Sequence, residues 1–221
     1  MTTIDINNPL VLFYQTLLEH YGPQNWWPGD SPFEVMVGAV LTQNTNWTNV
    51  EKAIKNLKEA DKLTPEKIDR LDQQELALLI RPAGYYNIKA RRLKNLVHWF
   101  CRRGNGSVET LSDWPMDSLR EELLSINGIG RETADSIILY ALNLPTFVVD
   151  TYTYRILVRH GQIDPESDYE QIKEYCQYQL PQEVALYNEL HALFVQVGKN
   201  HCKPRPQCQQ CPLRQFPYSL E

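Results

Sequence analysis

Apolar residues recur every three or four positions along most of the chain, which is the spacing of one face of an α-helix. The first stripe, within residues 9–20, consists of Leu10, Phe13, Leu17 and Leu18. Nowhere do apolar and polar residues alternate convincingly, as they would in a half-buried strand. The pattern therefore predicts an all-α protein. Helices are predicted at residues 9–20, 33–41, 48–59, 72–80, 87–103, 118–125, 131–142, 151–160, 169–180 and 183–198.

Proline and glycine mark the ends of these helices. Ser31 followed by Pro32 supplies a capping hydroxyl and a proline in the first helical turn. Breaks are predicted at Pro65, at residues 82–84 and at residues 104–106, where proline or glycine interrupts the periodicity. The chain has no internal repeat and no low-complexity segment, so its helices are expected to pack into ordinary compact domains.

The composition is that of a folded protein with a sizeable core. The chain has 221 residues, of which 43% are hydrophobic and 10% aromatic, and this length allows one large domain or two small ones. Its apolar runs, such as residues 35–41, are far shorter than the roughly 20 residues that span a bilayer. The N-terminus lacks the basic-then-apolar order of a secretion signal. We expect a soluble cytoplasmic protein that makes no membrane contact.

The charge balance leaves the partner open. A formal net charge of −5 argues weakly against nucleic acid, because affinity for phosphate comes largely from Lys and Arg. Basic residues nevertheless cluster within residues 89–94, 102–103 and 199–205. Such clusters are usually a solvated face, but they also permit a local basic groove in an acidic protein.

A glycine hairpin is predicted between two helices, where residues 125–135 read S-I-N-G-I-G-R-E-T-A-D. Gly128 and Gly130 permit the backbone of a tight turn. They also expose N–H groups at the start of the next helix, an arrangement that favours phosphate. The alternative is a plain corner with glycines placed for packing. Glu132 is unexpected in a phosphate-binding turn.

The segment P-T-F-V-V-D-T-Y-T-Y-R-I, residues 145–156, places Asp150 after an apolar loop and before a helix. A helix cap is the common use of such an aspartate. Together with the hairpin, however, the segment completes a longer pattern. L-x-x-I-x-G-I-G-x-x-T-A, then V-D-T and R-I, resembles the helix–hairpin–helix DNA glycosylases of the endonuclease III superfamily. Residues 37–45 and 82–93 are similar to further motifs of that family, so the resemblance covers nearly the whole chain.

The resemblance implies a fold and an activity. The fold would have two helical subdomains with a DNA-binding cleft between them: residues 1–29 plus 135–221, and a central helical barrel at residues 30–134. The partner would be double-stranded DNA with a damaged base, bound by a monomer. The target nucleotide would be flipped out and its N-glycosidic bond hydrolysed. Because such bonds break through an oxocarbenium-like sugar, a carboxylate can stabilise the charge and direct water.

The same resemblance assigns roles to particular residues. Asp150 would be the catalytic carboxylate. Gln43 and Asn44 would be candidates for filling the gap left by the flipped base. The hairpin that binds the DNA phosphates would comprise Gly128, Ile129, Gly130 and Thr133.

Tryptophans mark a base pocket. N-W-W-P at residues 25–28 and N-W at residues 46–47 resemble the 3-methyladenine DNA glycosylase subgroup, although a single tryptophan is more often core. That likeness implies a pocket, because a cationic methylated base gains from electron-rich ring faces. The subgroup carries Glu where lyase members carry a reactive Lys, which implies glycosylase activity without strand cleavage. The implied pocket residues are Trp26, Trp27, Pro28, Trp47 and Glu132.

Three cysteines near the C-terminus, Cys202, Cys208 and Cys211, suggest a metal rather than disulfides in a cytosolic chain. Their segment resembles the iron–sulfur loop of many relatives, in which four cysteines hold a cubane cluster. The fourth position, near residues 216–217, has no cysteine, and His201 is the nearest substitute. Three cysteines and a histidine equally describe a structural zinc site. An iron–sulfur cluster, a zinc ion and no metal all remain open.

The sequence therefore predicts a monofunctional DNA glycosylase that removes alkylated purines, with 3-methyladenine as the first choice. A glycosylase specific for mismatched thymine, uracil or adenine is the nearest alternative, and it would gain little from an aromatic cage around a neutral base. A non-catalytic module that reuses the hairpin for DNA binding is the alternative from another class.

Overall fold

The computed structural model describes residues 8–219, and this part of the chain contains twelve α-helices and no strand. The predicted all-α class is confirmed. None of these helices is both long and apolar enough to span a bilayer. The helices are α1 Pro9–Tyr21, α2 Pro32–Leu41, α3 Trp47–Glu59, α4 Pro65–Arg70, α5 Gln73–Leu79, α6 Tyr86–Arg103, α7 Val108–Ser112, α8 Met116–Ser125, α9 Arg131–Ser136, α10 Thr151–Arg159, α11 Tyr169–Gln179 and α12 Val184–Asn200.

The two short helices α4 and α7 were not predicted from the sequence, because segments of six and five residues are too short to show a periodic apolar stripe. Pro65, predicted as a break, is instead the first residue of α4, where Thr64 caps the helix by accepting a hydrogen bond from the Lys67 N–H. The helix predicted at residues 131–142 is α9 followed by a π-helical turn at Ile137–Ala141.

The described chain divides into two compact units, residues 28–144 and residues 8–27 with 145–219. The sequence analysis placed residues 135–144 in the discontinuous unit. They lie in the central one, because the turn at Ile137–Ala141 packs against α2. Residues 137–141 continue directly from α9, so this apolar segment belongs to the same unit as the hairpin. The order of apolar and polar residues within the segment does not show which unit it joins.

The central unit is built around α2. Every residue from Glu34 to Leu41 is buried, so this helix is covered on all sides, and Ser31 caps its start by accepting from the Glu34 N–H. Helix α6 packs against α2, α4 and α5. The chain leaving α2 enters the loop at residues 42–46 that carries Gln43 and Asn44.

The discontinuous unit is centred on α12, which packs against α1 and α10. Gly198 permits the close approach of α10, because a Cβ there would lie 2.3 Å from Cδ1 of Tyr152. This packing fixes the start of α10 against α12. Asp150, the residue that caps α10, is thereby held beside the side chains of α12.

Candidate functional site

The hairpin between α8 and α9 has two glycines with different roles. Gly128 has φ +100°, and a Cβ there would lie 2.2 Å from Cγ of Arg92, so the position needs glycine for conformation and for space. Gly130 has an extended backbone, φ −94° and ψ 178°, which any residue adopts. The conformation at Gly130 therefore does not require glycine, and its role in a phosphate-binding hairpin stays a prediction. A Cβ at Gly130 would have no atom within 4 Å, so this edge of the hairpin is open to approach from outside.

A buried ion pair ties the two helices of the hairpin together. Nε of Arg120 on α8 lies 2.8 Å from Oδ1 of Asp135 on α9, and its NH2 lies 3.0 Å from Oδ2. Asp135 is completely buried. Removing one partner from such a bidentate pair leaves a buried charge without its counterion, which is costly. The pair therefore fixes the angle at which the hairpin is held.

Gln43 contacts the hairpin directly. Its Nε2 donates to the Gly128 carbonyl oxygen at 3.1 Å and to Oγ1 of Thr133 at 3.0 Å. Its Oε1 accepts from NH1 of Arg92 at 2.6 Å. The other residue predicted to fill the DNA stack, Asn44, is exposed and has φ +52°. The structure thus engages Gln43 with the hairpin and leaves Asn44 facing solvent.

Asp150 caps α10 and stays ionised. Its Oδ1 accepts from the Thr153 N–H at 2.7 Å, and its Oδ2 lies 3.6 Å from Nε2 of the buried His191. Burial alone would raise the pKa of Asp150, but His191 and the two groups of Thr153 outweigh it and hold this pKa below its ordinary value. With 12% of its side chain exposed, Asp150 is a nearly buried carboxylate that remains charged at neutral pH.

The tryptophans predicted to form the base pocket are partly exposed in their own units. The rings of Trp26 and Trp27 lie 5.3 Å apart with a tilt of 57°. Nε1 of Trp47, in the first turn of α3, donates to Oε1 of Glu51 at 2.9 Å. Pro28 is exposed beside Trp27. None of the three rings is buried as a core tryptophan would be, so each keeps surface available for a ligand.

Glu132 and Lys89 are the residues of the central unit that decide whether an amine could act as a nucleophile. Glu132 lies exposed in the first turn of α9. Lys89, on α6, is 1% exposed, and its Nζ donates to the carbonyl oxygens of Leu41 and Ala83, both at 2.8 Å. Burial, together with the nearby Arg92, lowers the pKa of Lys89 to about 8. The amine of Lys89 is thus enclosed and hydrogen-bonded to the backbone.

The C-terminal cysteines line one small cavity of the discontinuous unit. Cys202, Cys208, Cys211 and His201 border a space of about 20 Å³, which is room for about one water molecule. Within residues 8–219 no three His, Cys, Asp or Glu side chains are arranged to hold a metal ion. The loop therefore fits neither a cubane cluster nor the alternative zinc site.

Arg159 and Phe216 make further contacts with this loop. NH1 of Arg159 donates to Sγ of Cys202 at 3.1 Å and to the Lys203 carbonyl oxygen at 2.7 Å. At the place of the missing fourth cysteine, the ring of Phe216 packs edge-on against Phe13 with centroids 5.0 Å apart. The loop is closed by these hydrogen bonds and ring contacts.

Three residues with a bearing on function were missed by the sequence analysis. His191 lies beside Asp150, and Arg92 contacts both Gln43 and Gly128. Neither contact leaves a signal in the sequence, because the partners are on different elements. Tyr85 is 70% exposed with φ +45°. The unusual exposure of a large ring at this turn suggests a DNA contact, and the G-Y-Y sequence was the available signal.

Comparison with known proteins agrees with this helical fold and hairpin. A family described as HhH-GPD superfamily base excision DNA repair protein matches residues 37–182. The chain belongs to that superfamily, which confirms the class predicted from the hairpin and the V-D-T segment, and it is a base excision repair DNA glycosylase of this family.

Individual relatives cover most of the chain. The DNA repair glycosylase MJ1434 of Methanocaldococcus jannaschii is 49% identical over 205 residues, 92% of this chain and 93% of that protein. Endonuclease III of Thermotoga maritima is 33% identical, over 83% of this chain and 81% of its own.

Two solved structures are similar along nearly their whole length. A crystal structure of the H. pylori 3-methyladenine DNA glycosylase MagIII bound to 1,N6-ethenoadenine has a TM-score of 0.74 and 30% identity, covering 86% of this chain and 97% of that one. A trapped endonuclease III–DNA covalent intermediate has a TM-score of 0.79 and 26% identity, covering 93% and 92%.

Proposed function

We propose that this protein hydrolyses the N-glycosidic bond of alkylated purines in double-stranded DNA, with 3-methyladenine as its main substrate, and does not cleave the strand. The observation that carries this proposal is the ionised, nearly buried carboxylate of Asp150. Glu132, in the first turn of the helix that follows the hairpin, has no amine.

The hairpin is proposed to contact the DNA backbone. The open edge at Gly130 lets a phosphate oxygen approach the main chain more closely than a side chain would permit. Ile129, only 5% exposed, anchors the turn in the central unit. Asn44 and Tyr85 are the exposed candidates to enter the DNA stack, while Gln43 would first have to leave its hydrogen bonds.

Asp150 would act on the sugar. As the bond from C1′ to the purine nitrogen breaks, its electron pair leaves with the base and positive charge develops on the sugar ring. An ionised carboxylate stabilises this charge and accepts a proton from the water that adds to C1′. His191 and the Thr153 N–H keep the carboxylate charged and oriented. A methylated adenine is already cationic and leaves as a neutral base, so no acid is needed to protonate it.

The substrate class is inferred from the aromatic rings and the carboxylate. Trp26, Trp27 and Trp47 offer ring faces, which attract a cation by up to about 2 kcal/mol when it is desolvated, and Glu132 adds negative charge. The H. pylori relative is itself a 3-methyladenine DNA glycosylase, and its structure holds a modified adenine. This likeness supports an alkylated purine over a neutral mismatched base.

The absence of strand cleavage is inferred from the available amines. A lyase needs an amine that attacks C1′ and forms a Schiff base. Glu132 has none, and the amine of Lys89 donates hydrogen bonds to two carbonyl oxygens in the interior of the central unit.

The test is incubation of the purified protein with methylated genomic DNA and with a duplex that carries one alkylated adenine. We expect mass spectrometry to detect released 3-methyladenine. The strand should stay intact until alkali is added, and borohydride should trap no enzyme–DNA adduct.

Three outcomes would contradict the proposal in different ways. Release of thymine, uracil or adenine from mismatched duplexes at a higher rate would assign the protein to the mismatch class. Binding of duplex without release of any base would make it a binding module. Nicking without alkali, together with a trapped adduct, would mean that an amine serves as nucleophile.

Trp47→Ala should slow excision by removing one ring face from the base, a loss on the order of 1–3 kcal/mol by comparison with other base–aromatic stacks. Because Trp47 is only partly buried, the melting temperature should change little. Trp114→Ala is a matched control, since this tryptophan packs against Trp99 and Arg103 within the same unit. A large fall in melting temperature with an unchanged excision rate would make Trp47 a core residue.

A further inference from the structure

We propose that Gln43 and Arg92 form a clamp that holds the hairpin in the conformation that binds DNA phosphate, so that both are positioning residues. The proposal rests on the proposed function in one respect: the hairpin contacts the DNA backbone. The sequence motif around Gln43 suggested insertion into the DNA stack, whereas its contacts in the structure assign it a role at the hairpin.

One amide group bridges the two sides of the turn. The Gly128 carbonyl lies before the exposed edge of the hairpin, and the Thr133 hydroxyl lies after it, in the first turn of α9. Because Nε2 of Gln43 donates to both, it fixes the distance between the two sides. The backbone of Ile129 and Gly130 is held between these two fixed points.

Arg92 determines which way the amide of Gln43 points. A guanidinium can only donate hydrogen bonds, and a carbonyl oxygen can only accept them. With NH1 of Arg92 2.6 Å from Oε1 of Gln43, the Nε2 group must face the Gly128 carbonyl. A flipped amide would place oxygen against oxygen and N–H against N–H. Arg92 therefore keeps Gln43 in its donating orientation.

The aliphatic part of Arg92 supports the same turn by packing. A Cβ on Gly128 would lie 2.2 Å from Cγ and 2.9 Å from Cδ of Arg92, so this side chain lies directly on the glycine. The left-handed conformation of Gly128 is thus stabilised by the packing of Arg92 and by the hydrogen bond that Gln43 donates to the Gly128 carbonyl oxygen. A hairpin preset in this way does not have to be ordered when DNA binds, and preorganisation of this kind raises affinity.

Affinity for an undamaged duplex tests the clamp, because no base is flipped there and only backbone contacts count. We expect Gln43→Leu to weaken this binding about tenfold at each salt concentration, while the slope of log K against log salt stays that of the wild type, because the substitution removes no charge that neutralises a phosphate. Loss of a base wedge would leave the affinity for an undamaged duplex unchanged. Thr133→Val, which removes one hydrogen-bond acceptor at constant shape, should produce a smaller change in the same direction.

Arg92→Met keeps the aliphatic packing and removes the donor, and Arg91→Met is its control. Arg91 is the exposed neighbour on the same helix, so the two variants lose the same formal charge. We expect Arg92→Met to weaken binding by at least about fivefold more than Arg91→Met, and the double variant Gln43→Leu/Arg92→Met to be no weaker than Arg92→Met, as coupled residues should be.

Unchanged affinities of Gln43→Leu and Thr133→Val for the undamaged duplex, with equal effects of Arg92→Met and Arg91→Met, would overturn the clamp while wild-type binding leaves the proposed function standing. A wild-type protein that binds no duplex would overturn both. Melting temperatures of all variants identify any that fail to fold, and the conservative Thr133→Val then decides the question.

Discussion

Asp150→Asn should slow base release by about 100- to 10,000-fold, the range for a positioned group that transfers a proton in the transition state. The substitution removes one charge and almost no volume. Asparagine caps helices as well as aspartate does, so α10 should still begin at Thr151. Binding to damaged duplex should be retained. Single-turnover excision rates and a binding isotherm on the same duplex measure the two properties separately.

Asp168→Asn is the matched control, because Asp168 also caps a helix of the same unit through an N–H three residues on. It loses the same charge with the same geometry, and its excision rate should stay near that of the wild type. If Asp150→Asn turned over within a few-fold of wild type, Asp150 would be a helix cap and no more.

The pH dependence of excision checks the same assignment. The pKa of Asp150 lies below its ordinary value of 3.8, so this carboxylate is ionised throughout the range from about pH 5 to about pH 8. Its contribution to the free energy of unfolding is likewise constant there and is lost only as the pH falls through the lowered pKa. The excision rate should therefore show no loss from Asp150 in this range. A loss of the excision rate near pH 6 that persists in Asp168→Asn but is absent from the residual activity of Asp150→Asn would contradict the lowered pKa.

Gly128→Ala should lower the free energy of unfolding by about 2 to 4 kcal/mol. Two costs combine: the positive φ that alanine tolerates poorly and the displacement of the Arg92 stem, which would lie 2.2 Å from the new methyl group. Because Arg92 contacts Gln43, DNA binding should fall as well. Chemical denaturation and binding to an undamaged duplex provide the two measurements.

Gly130→Ala is the comparison variant that separates an effect on stability from an effect on DNA binding. Its backbone is extended and its Cβ would meet no atom within 4 Å, so the free energy of unfolding should change by no more than about 0.5 kcal/mol. The methyl group would stand at the open edge of the hairpin, and affinity for duplex DNA should fall at least about tenfold through the loss of one charge-assisted hydrogen bond. Equal effects of the two substitutions on stability would show that the edge at Gly130 is not open.

The sequence by itself determined the helices and their caps, because these depend on residues that are close together in the chain. The 3.6-residue periodicity predicted ten of the helices, since a helix buries one face and its period is a property of the segment itself. Ser31-Pro32 predicted the start of α2, and V-D-T predicted a capped helix at Asp150, because caps act within three residues. The superfamily also followed from local motifs, each a short run with fixed spacing.

Only the tertiary structure decided the contacts between separate helices and loops. His191 beside Asp150, Arg92 against Gly128, and Gln43 between Gly128 and Thr133 join residues from separate helices and loops. The same holds for the packing of residues 137–141 on α2 and for the closure of the cysteine loop by Arg159 and Phe216. Spacing within a segment carries no information about which segments meet, because that choice is made by the burial of apolar faces and the pairing of polar groups across the whole chain.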